Sequence, residues 1–233
     1  MIIEATITAI RQGTPTVKVF TFATVPPMDF KAGQWLDLYV DVAGNSEVGG
    51  YSMTSSPLVR DSVELAIKWS DANPVTRHLH EQARVGDQVN LDGGQGECFY
   101  EAGMASSLVL IAGGIGITPI MSMIRYAREA TPAVPVTLLY SAPSAEEHLY
   151  RDELEGFMAG GMALRCEFLV TRDGPLPAGT VRGRVDEAHL REVTGDPEAM
   201  YFVCGPPGMI DEVPGTLVRL GVAESRVRYE RWW

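Results

Sequence analysis

The sequence predicts a two-domain α/β chain, with an antiparallel β-barrel or sandwich followed by a parallel α/β domain. Three observations predict it. Residues 1 to about 103 carry short alternating strands at regular intervals. From about residue 104 the rhythm changes, and apolar strands alternate with helical stretches. Two of those later strands run directly into a glycine turn and a helix start, at Leu108–Ile124 and Ala199–Met209.

The elements of the first part follow in order. Ile2–Ile10 and Val17–Phe22 are β-branched and alternating, and Pro26 and Pro27 break the chain after them. Gln34–Val40, Gly49–Thr54, Ser62–Lys68 and Asp87–Leu91 read as further short strands. One helix interrupts them, from Pro74 to about Gln82, with Asn73 as its cap and Pro74 at its first position. The small, polar stretch from 101 to 106 marks a boundary, giving domains 1–103 and 104–233. In the second domain, strands are expected at Leu108–Ala112, Val136–Ser141, Ala163–Val170, Ala199–Cys204 and Arg226–Glu230.

Ser107 to Ala112 is an unbroken apolar run, suited to a strand buried on both faces. Gly113, Gly114 and Gly116 then allow a sharp turn and leave bare backbone for a ligand to approach. Thr118 fits an N-cap and Pro119 a first helical position, with the helix running through Ile120, Met123 and Ile124 towards Ala130. Free N–H groups at a helix start suit a phosphate. Leu108–Ile124 approaches the length of a membrane span, but three glycines, a proline and no flanking positive cluster argue against one. The second unit, AMYFVCGPPGM, repeats the plan, with a helix from about Met209. Two such turns lie on one edge of a parallel sheet, where ligands bind.

Composition narrows the function. The 233 residues are 45% apolar and 21% charged, enough for a globular core. A net charge of −11 argues against nucleic acid or an anionic membrane as partner. Cys98, Cys166 and Cys204 form no CxxC pair, so neither zinc nor an iron–sulfur cluster finds its ligands, and no metal is expected. Sparse cysteines fit a reducing compartment, and the alternating N-terminus lacks a basic leader, so a cytoplasmic location is expected. His78, His80, His148 and His189 are scattered, which removes Cys204 from consideration as a His-activated nucleophile.

GGIGITP at 113–119 paired with CGPPGM at 204–209 resembles the nicotinamide-dinucleotide domain of the ferredoxin–NADP reductase superfamily. The GGYSMTSSP segment and the Tyr-Glu-Arg-Trp-Trp end are most similar to its oxidoreductase NAD-binding domain-containing members. The resemblance spans essentially the whole chain. It implies an N-terminal antiparallel Greek-key β-barrel that binds flavin and a C-terminal Rossmann-like parallel α/β domain of five strands.

The resemblance also implies chemistry. FAD (or FMN) would lie against the barrel, held by Tyr51, Ser52, Met53, Thr54, Val75 and Thr76, with Trp232 or Trp233 stacked on the ring. NADH or NADPH would lie on Gly113, Gly114, Gly116, Ile117, Thr118, Pro119 and Ser141, and on Cys204, Gly205, Pro206 and Met209. Ser52, Cys204, Glu230 and Trp232 would surround the position where hydride passes from nicotinamide to flavin, without an acid–base pair. Electrons would then reach a separate acceptor, a ferredoxin- or flavodoxin-like protein or a small molecule such as free flavin. Pro143 stands where phosphate-selective relatives often place an arginine, which leans towards NADH, while Arg172 offers a phosphate contact from the next strand.

One departure stands out. The family's Arg-x-Tyr-Ser segment is Gly49-Gly50-Tyr51-Ser52 here, so its arginine is missing. Arg77 is close enough in sequence to the helix start to replace it, or is simply an exposed first-turn residue. The other class of reading is a degenerate module of the same fold that binds nucleotide or a partner chain and turns nothing over.

Overall fold

The computed structural model describes residues 2–172 and 174–231. The first unit is an antiparallel sheet of β1 (Ile3–Thr14), β2 (Val17–Thr24), β3 (Trp35–Val42), β4 (Asn45–Ser52), β5 (Ser62–Lys68) and β6 (Gln88–Gln95), in the order β4-β3-β6-β1-β2-β5. An antiparallel bridge between Met53 and Leu65 joins the two ends of that order and closes the sheet into a barrel. Alternation decides the inside. Ile3, Ala5 and Ile7 of β1 point inward, as do Leu36, Leu38 and Val40 of β3. Helix α1 (Pro74–Glu81) starts as its residues suggest, with Asn73 Oδ1 accepting the Thr76 amide at 3.0 Å.

The second unit is a parallel sheet flanked by helices. Its strands are β7 (Leu108–Gly113), β8 (Val136–Ala142), β9 (Leu164–Val170), β10 (Thr180–Arg182), β11 (Met200–Cys204) and β12 (Val227–Tyr229), in the order β10-β9-β8-β7-β11-β12. The helices are α2 (Ile117–Ala130), α3 (Arg151–Ala159), α4 (Glu187–Val193) and α5 (Pro207–Arg219). β7 and β11 are buried along their whole length. Leu108 and Leu110 pack on one face with Tyr140 and Phe202, while Val109 and Ile111 pack on the other with Ile210 and Leu217. The first of these cores also takes in Val17, Ala66, Cys98 and Tyr100 of the barrel side, so the two units share buried apolar surface.

Two local expectations are corrected. The parallel sheet has six strands rather than five, because the short edge strand β10 pairs with β9. Helix α2 is capped by Gly116, with no side-chain hydrogen bond to its first turn. Thr118 and Pro119 therefore lie inside the first turn. The reason is a 3-10 turn over Gly114–Gly116 that takes up those residues before the helix begins, and Thr118 Oγ1 donates back to the Ile115 carbonyl at 3.0 Å. Helix α5 likewise begins at Pro207, two residues before Met209.

Candidate active site

The carboxyl ends of β7 and β11 lie side by side, paired from Met200↔Leu108 to Cys204↔Ala112. Their glycine turns interlock. A Cβ on Gly116 would stand 2.2 Å from the Cys204 carbonyl oxygen, and one on Gly113 would stand 2.7 Å from the Pro206 ring. These two glycines are packing positions between the turns. Gly114 is different. Its φ of +55° favours glycine, and nothing lies within 4 Å of where a Cβ would be.

The turns open onto a cleft of about 730 Å³. One wall is Gly50, Tyr51 and Ser52 of β4 with Ile67 and Lys68 of β5; the other is the turn from Gly113 to Gly116 with Thr118. Ser141, Cys204, Gly205, Pro206 and Met209 complete the second wall. The volume lies in the range of small-molecule sites. The first turn of α2, which no side chain caps, and the open backbone at Gly114 fit a dinucleotide pyrophosphate. The barrel strand that faces them fits a flavin.

Most site residues read from the sequence meet here, and several do not. The Met53 side chain is buried in the barrel core, because its bridge to Leu65 turns it inward. Thr54 is buried too, with its hydroxyl donating to Glu64 Oε1 at 2.7 Å. Ile117 belongs to the core under α2, and Pro119 lines a separate small cavity behind Cys204. Val75 packs in the barrel core. Thr76 is engaged at both ends. Its amide donates to Asn73 and its hydroxyl pairs with Tyr51 Oη at 3.0 Å. The Thr76 amide is thus not open to a phosphate, contrary to the sequence expectation. Trp232 and Trp233 lie outside the described residues.

Glu230 sits behind the part of the cleft wall that Cys204 forms. Glu230 Oε1 accepts the amides of Glu97 at 2.9 Å and Cys98 at 3.1 Å, tying the C-terminal segment to the end of the barrel. Cys98, Cys204 and Glu230 line the same small cavity. Burial, then the neighbouring Cys204 and Glu230, push the Cys98 thiol well above its ordinary value, so it stays protonated. Burial raises the Tyr51 phenol against the lowering effect of its Thr76 bond. At the missing arginine, a Cβ on Gly49 would stand 2.6 Å from Tyr51 Oη. The tyrosine folds back over position 49 and occupies that space. Arg77 is exposed and donates to the Asp71 carbonyl.

Lys68, Arg184 and Glu212 also line the cleft and were not anticipated. Their signals were weak: the last residue of a strand, an arginine after a short exposed strand, and one acid on a helix. Among the described residues, no group of three or more His, Cys, Asp or Glu is arranged to hold a metal. No helix among them is long and apolar enough to cross a membrane.

Comparison with known proteins agrees with this geometry. Residues 4–100 match the oxidoreductase FAD-binding domain, and residues 110–214 match the oxidoreductase NAD-binding domain. The chain is 31% identical over 229 residues to oxidoreductase NAD-binding domain-containing protein 1 of Danio rerio, covering 89% of this chain and 83% of that protein. It is 31% identical over 240 residues to ferredoxin–NADP reductase B of Sorangium cellulosum, covering 98% and 97%. The fold is shared with a Neisseria gonorrhoeae ferredoxin NADP+ reductase solved with bound FAD and NADP, at a TM-score of 0.84 and 21% identity over 98% of both chains. FAD and a nicotinamide dinucleotide are accordingly the cofactors. The chain belongs to the ferredoxin–NADP reductase superfamily, as an NAD(P)H-dependent flavoprotein reductase.

Proposed function

We propose that the dinucleotide and the flavin ring meet in the cleft between β4 and the two glycine turns, and that electrons then leave to a separate acceptor. The observation that carries this is the cleft itself. It places Tyr51 and Ser52 on one wall and Gly114, Cys204 and Gly205 on the other. Bound flavin supplies the chemistry by accepting hydride from the nicotinamide. The protein's part is placement. Gly114 and the first turn of α2 receive the pyrophosphate, Ser52 offers a hydroxyl at the flavin edge, and the apolar packing behind Cys204 keeps water out. Glu230 ties its own segment to the barrel through the amides of Glu97 and Cys98.

The acceptor is proposed as a ferredoxin- or flavodoxin-like protein or free flavin, the first following the name of the Sorangium relative. Division at residues 103 and 104 and a cytoplasmic location belong to the same reading; three free cysteines support the latter. The test is the visible spectrum of the FAD-loaded protein under anaerobic conditions, before and after NADH and then NADPH. Bleaching of the flavin band is expected, and the faster nucleotide identifies the donor. No flavin binding, or a bound flavin that neither nucleotide reduces, would leave a non-catalytic module.

The loss at Gly49 has a measurable size. An arginine–phosphate pair contributes about 1.5–3 kcal/mol, so FAD is expected to bind about 10- to 100-fold more weakly than with arginine present. Equilibrium dialysis measures this, and a nanomolar Kd would contradict it. Gly49→Arg is not a simple repair, since Tyr51 must first swing off Thr76.

A further inference from the structure

A polar stripe runs along helix α2. Ser122, Arg125 and Glu129 share one face, and all three reach across to the barrel segment that follows Ser52. Ser122 Oγ donates to the Ser55 carbonyl at 2.7 Å, and Ser56 Oγ donates to Glu129 at 2.6 Å. Between them Arg125 makes four bonds. Its Nε and Nη2 grip Glu153 of α3, each at 2.8 Å, while Nη1 donates to the Thr54 carbonyl at 2.9 Å and to Glu64 Oε1 at 2.8 Å.

The surroundings hold this arrangement from every side. Glu64 Oε1 also accepts from Thr54 Oγ1 and from Tyr150 Oη. Tyr150 adopts a left-handed φ of +65°, rare for a residue with a side chain and sustained only where neighbours fix it. The guanidinium groups of Arg11 and Arg125 both lie over its ring, 5.5 and 4.9 Å from the centroid. None of these groups lines the cleft.

We propose that Arg125 is a positioning residue for hydride transfer. It pins the chain just past Ser52 to the helix whose first turn faces the dinucleotide, and so sets the separation of the two cleft walls. The inference rests on the reductase reading given above. The path is short and stiff: the glycine turn, two turns of α2, Arg125, Thr54, then Ser52. Hydride transfer is sensitive to the placement of the reacting atoms, and a shift of about 1 Å costs about 100-fold. A planar fork that bonds in two directions is what only arginine provides.

The experiment compares the FAD-loaded protein with Arg125→Met and Arg125→Lys. The rate of flavin reduction at saturating dinucleotide is expected to fall about 10- to 100-fold in Arg125→Met, while the Kd values for dinucleotide and FAD change less than about threefold. Arg125→Lys, which keeps the charge and folds if the methionine variant does not, is expected to recover only part of the rate. A rate within twofold of the parent in a flavin-loaded variant overturns the proposal, as does a loss that excess dinucleotide restores. Amide exchange of the flavin-free protein gives a second readout. Residues 52–56 are expected to exchange about tenfold faster in the variants, with 108–112 still protected. Unchanged exchange at 52–56 overturns the positioning role. A parent protein that neither dinucleotide reduces would instead refute the reductase reading, and the exchange readout would still decide the role of Arg125.

Discussion

Replacing Gly116 by alanine is expected to abolish dinucleotide-dependent flavin reduction and to lower the unfolding midpoint by about 6–12 °C. The backbone conformation is no obstacle, since φ at Gly116 is −61°. The obstacle is space. The added methyl would meet the Cys204 carbonyl oxygen at 2.2 Å, its carbon at 2.5 Å and the Gly205 nitrogen at 2.8 Å. All three are backbone atoms at the end of a fully buried strand, so no side-chain rotation relieves the contact. Overpacking of this kind costs about 3 kcal/mol, and each kcal/mol shifts the midpoint by about 2–4 °C in a chain of this size. The two turns must separate, and both walls of the dinucleotide site move. Gly156→Ala in α3 is the control for space, since no atom lies within 4 Å of its Cβ position and it lies away from the cleft. Thermal unfolding and a dinucleotide titration of Gly116→Ala decide the matter, and parental values in both would refute the account.

Removing the carboxylate of Glu64 is the second large effect. Glu64→Ala leaves a mostly buried Arg125 with one partner fewer and takes the carboxylate acceptor from the Tyr150 hydroxyl, while Thr54 Oγ1 keeps only its bond to the carbonyl of residue 64. Breaking a buried ion pair from one side costs about 3–5 kcal/mol, so the midpoint is expected to fall by about 10 °C. The pH dependence follows from the same carboxyl. Burial pushes it up, but the Arg125 charge and the hydrogen bonds from Arg125, Thr54 and Tyr150 pull it further down, to below its ordinary value of 4.5. A carboxyl lowered by folding adds stability that is complete above its unfolded value and is lost as pH falls through the folded one. The parent should therefore lose stability below about pH 4.5, and Glu64→Ala should lack that part of the loss. Unfolding scans of both proteins at pH 7 and pH 3 test this. A midpoint shift under 2 °C at pH 7 would remove the interface network from the stability argument.

The two units were legible because each imposes its own period on the chain. Alternation in β1 and β3 and the unbroken apolar runs of β7 and β11 state which faces are covered before any contact is known. Asn73 before Pro74 announced α1 for the same local reason. What stayed hidden depends on partners distant in sequence. β10 is three residues long, mostly exposed, and exists only by pairing with β9. Met53 and Thr54 follow directly on Ser52, yet the closing bridge to Leu65 sends them away from the cleft. Arg125 reads in one dimension as a charge near the end of a helix. Its four acceptors come from the 50s, the 60s and the 150s. Tyr51 and Ser52 were found through a motif, whereas the ring lying over Gly49 follows from a rotamer that no motif encodes.

The ring of barrel strands has a consequence for how the chain is made. β4 and β5 are joined by their bridge, β3 lies outside one and β2 and β1 outside the other. Until β6 is present, this is an open sheet whose two free borders are β1 and β3. β6 is the last barrel strand in the chain, and it pairs with both, from Ile3↔Leu91 on one side and Leu38↔Leu91 on the other. A nascent or truncated chain ending before Gln88 would therefore carry two unpaired borders at once. One is the twelve-residue β1 with its apolar face, the kind of border that recruits strands from other molecules. A single eight-residue segment thus separates a closed barrel from a surface prone to aggregate.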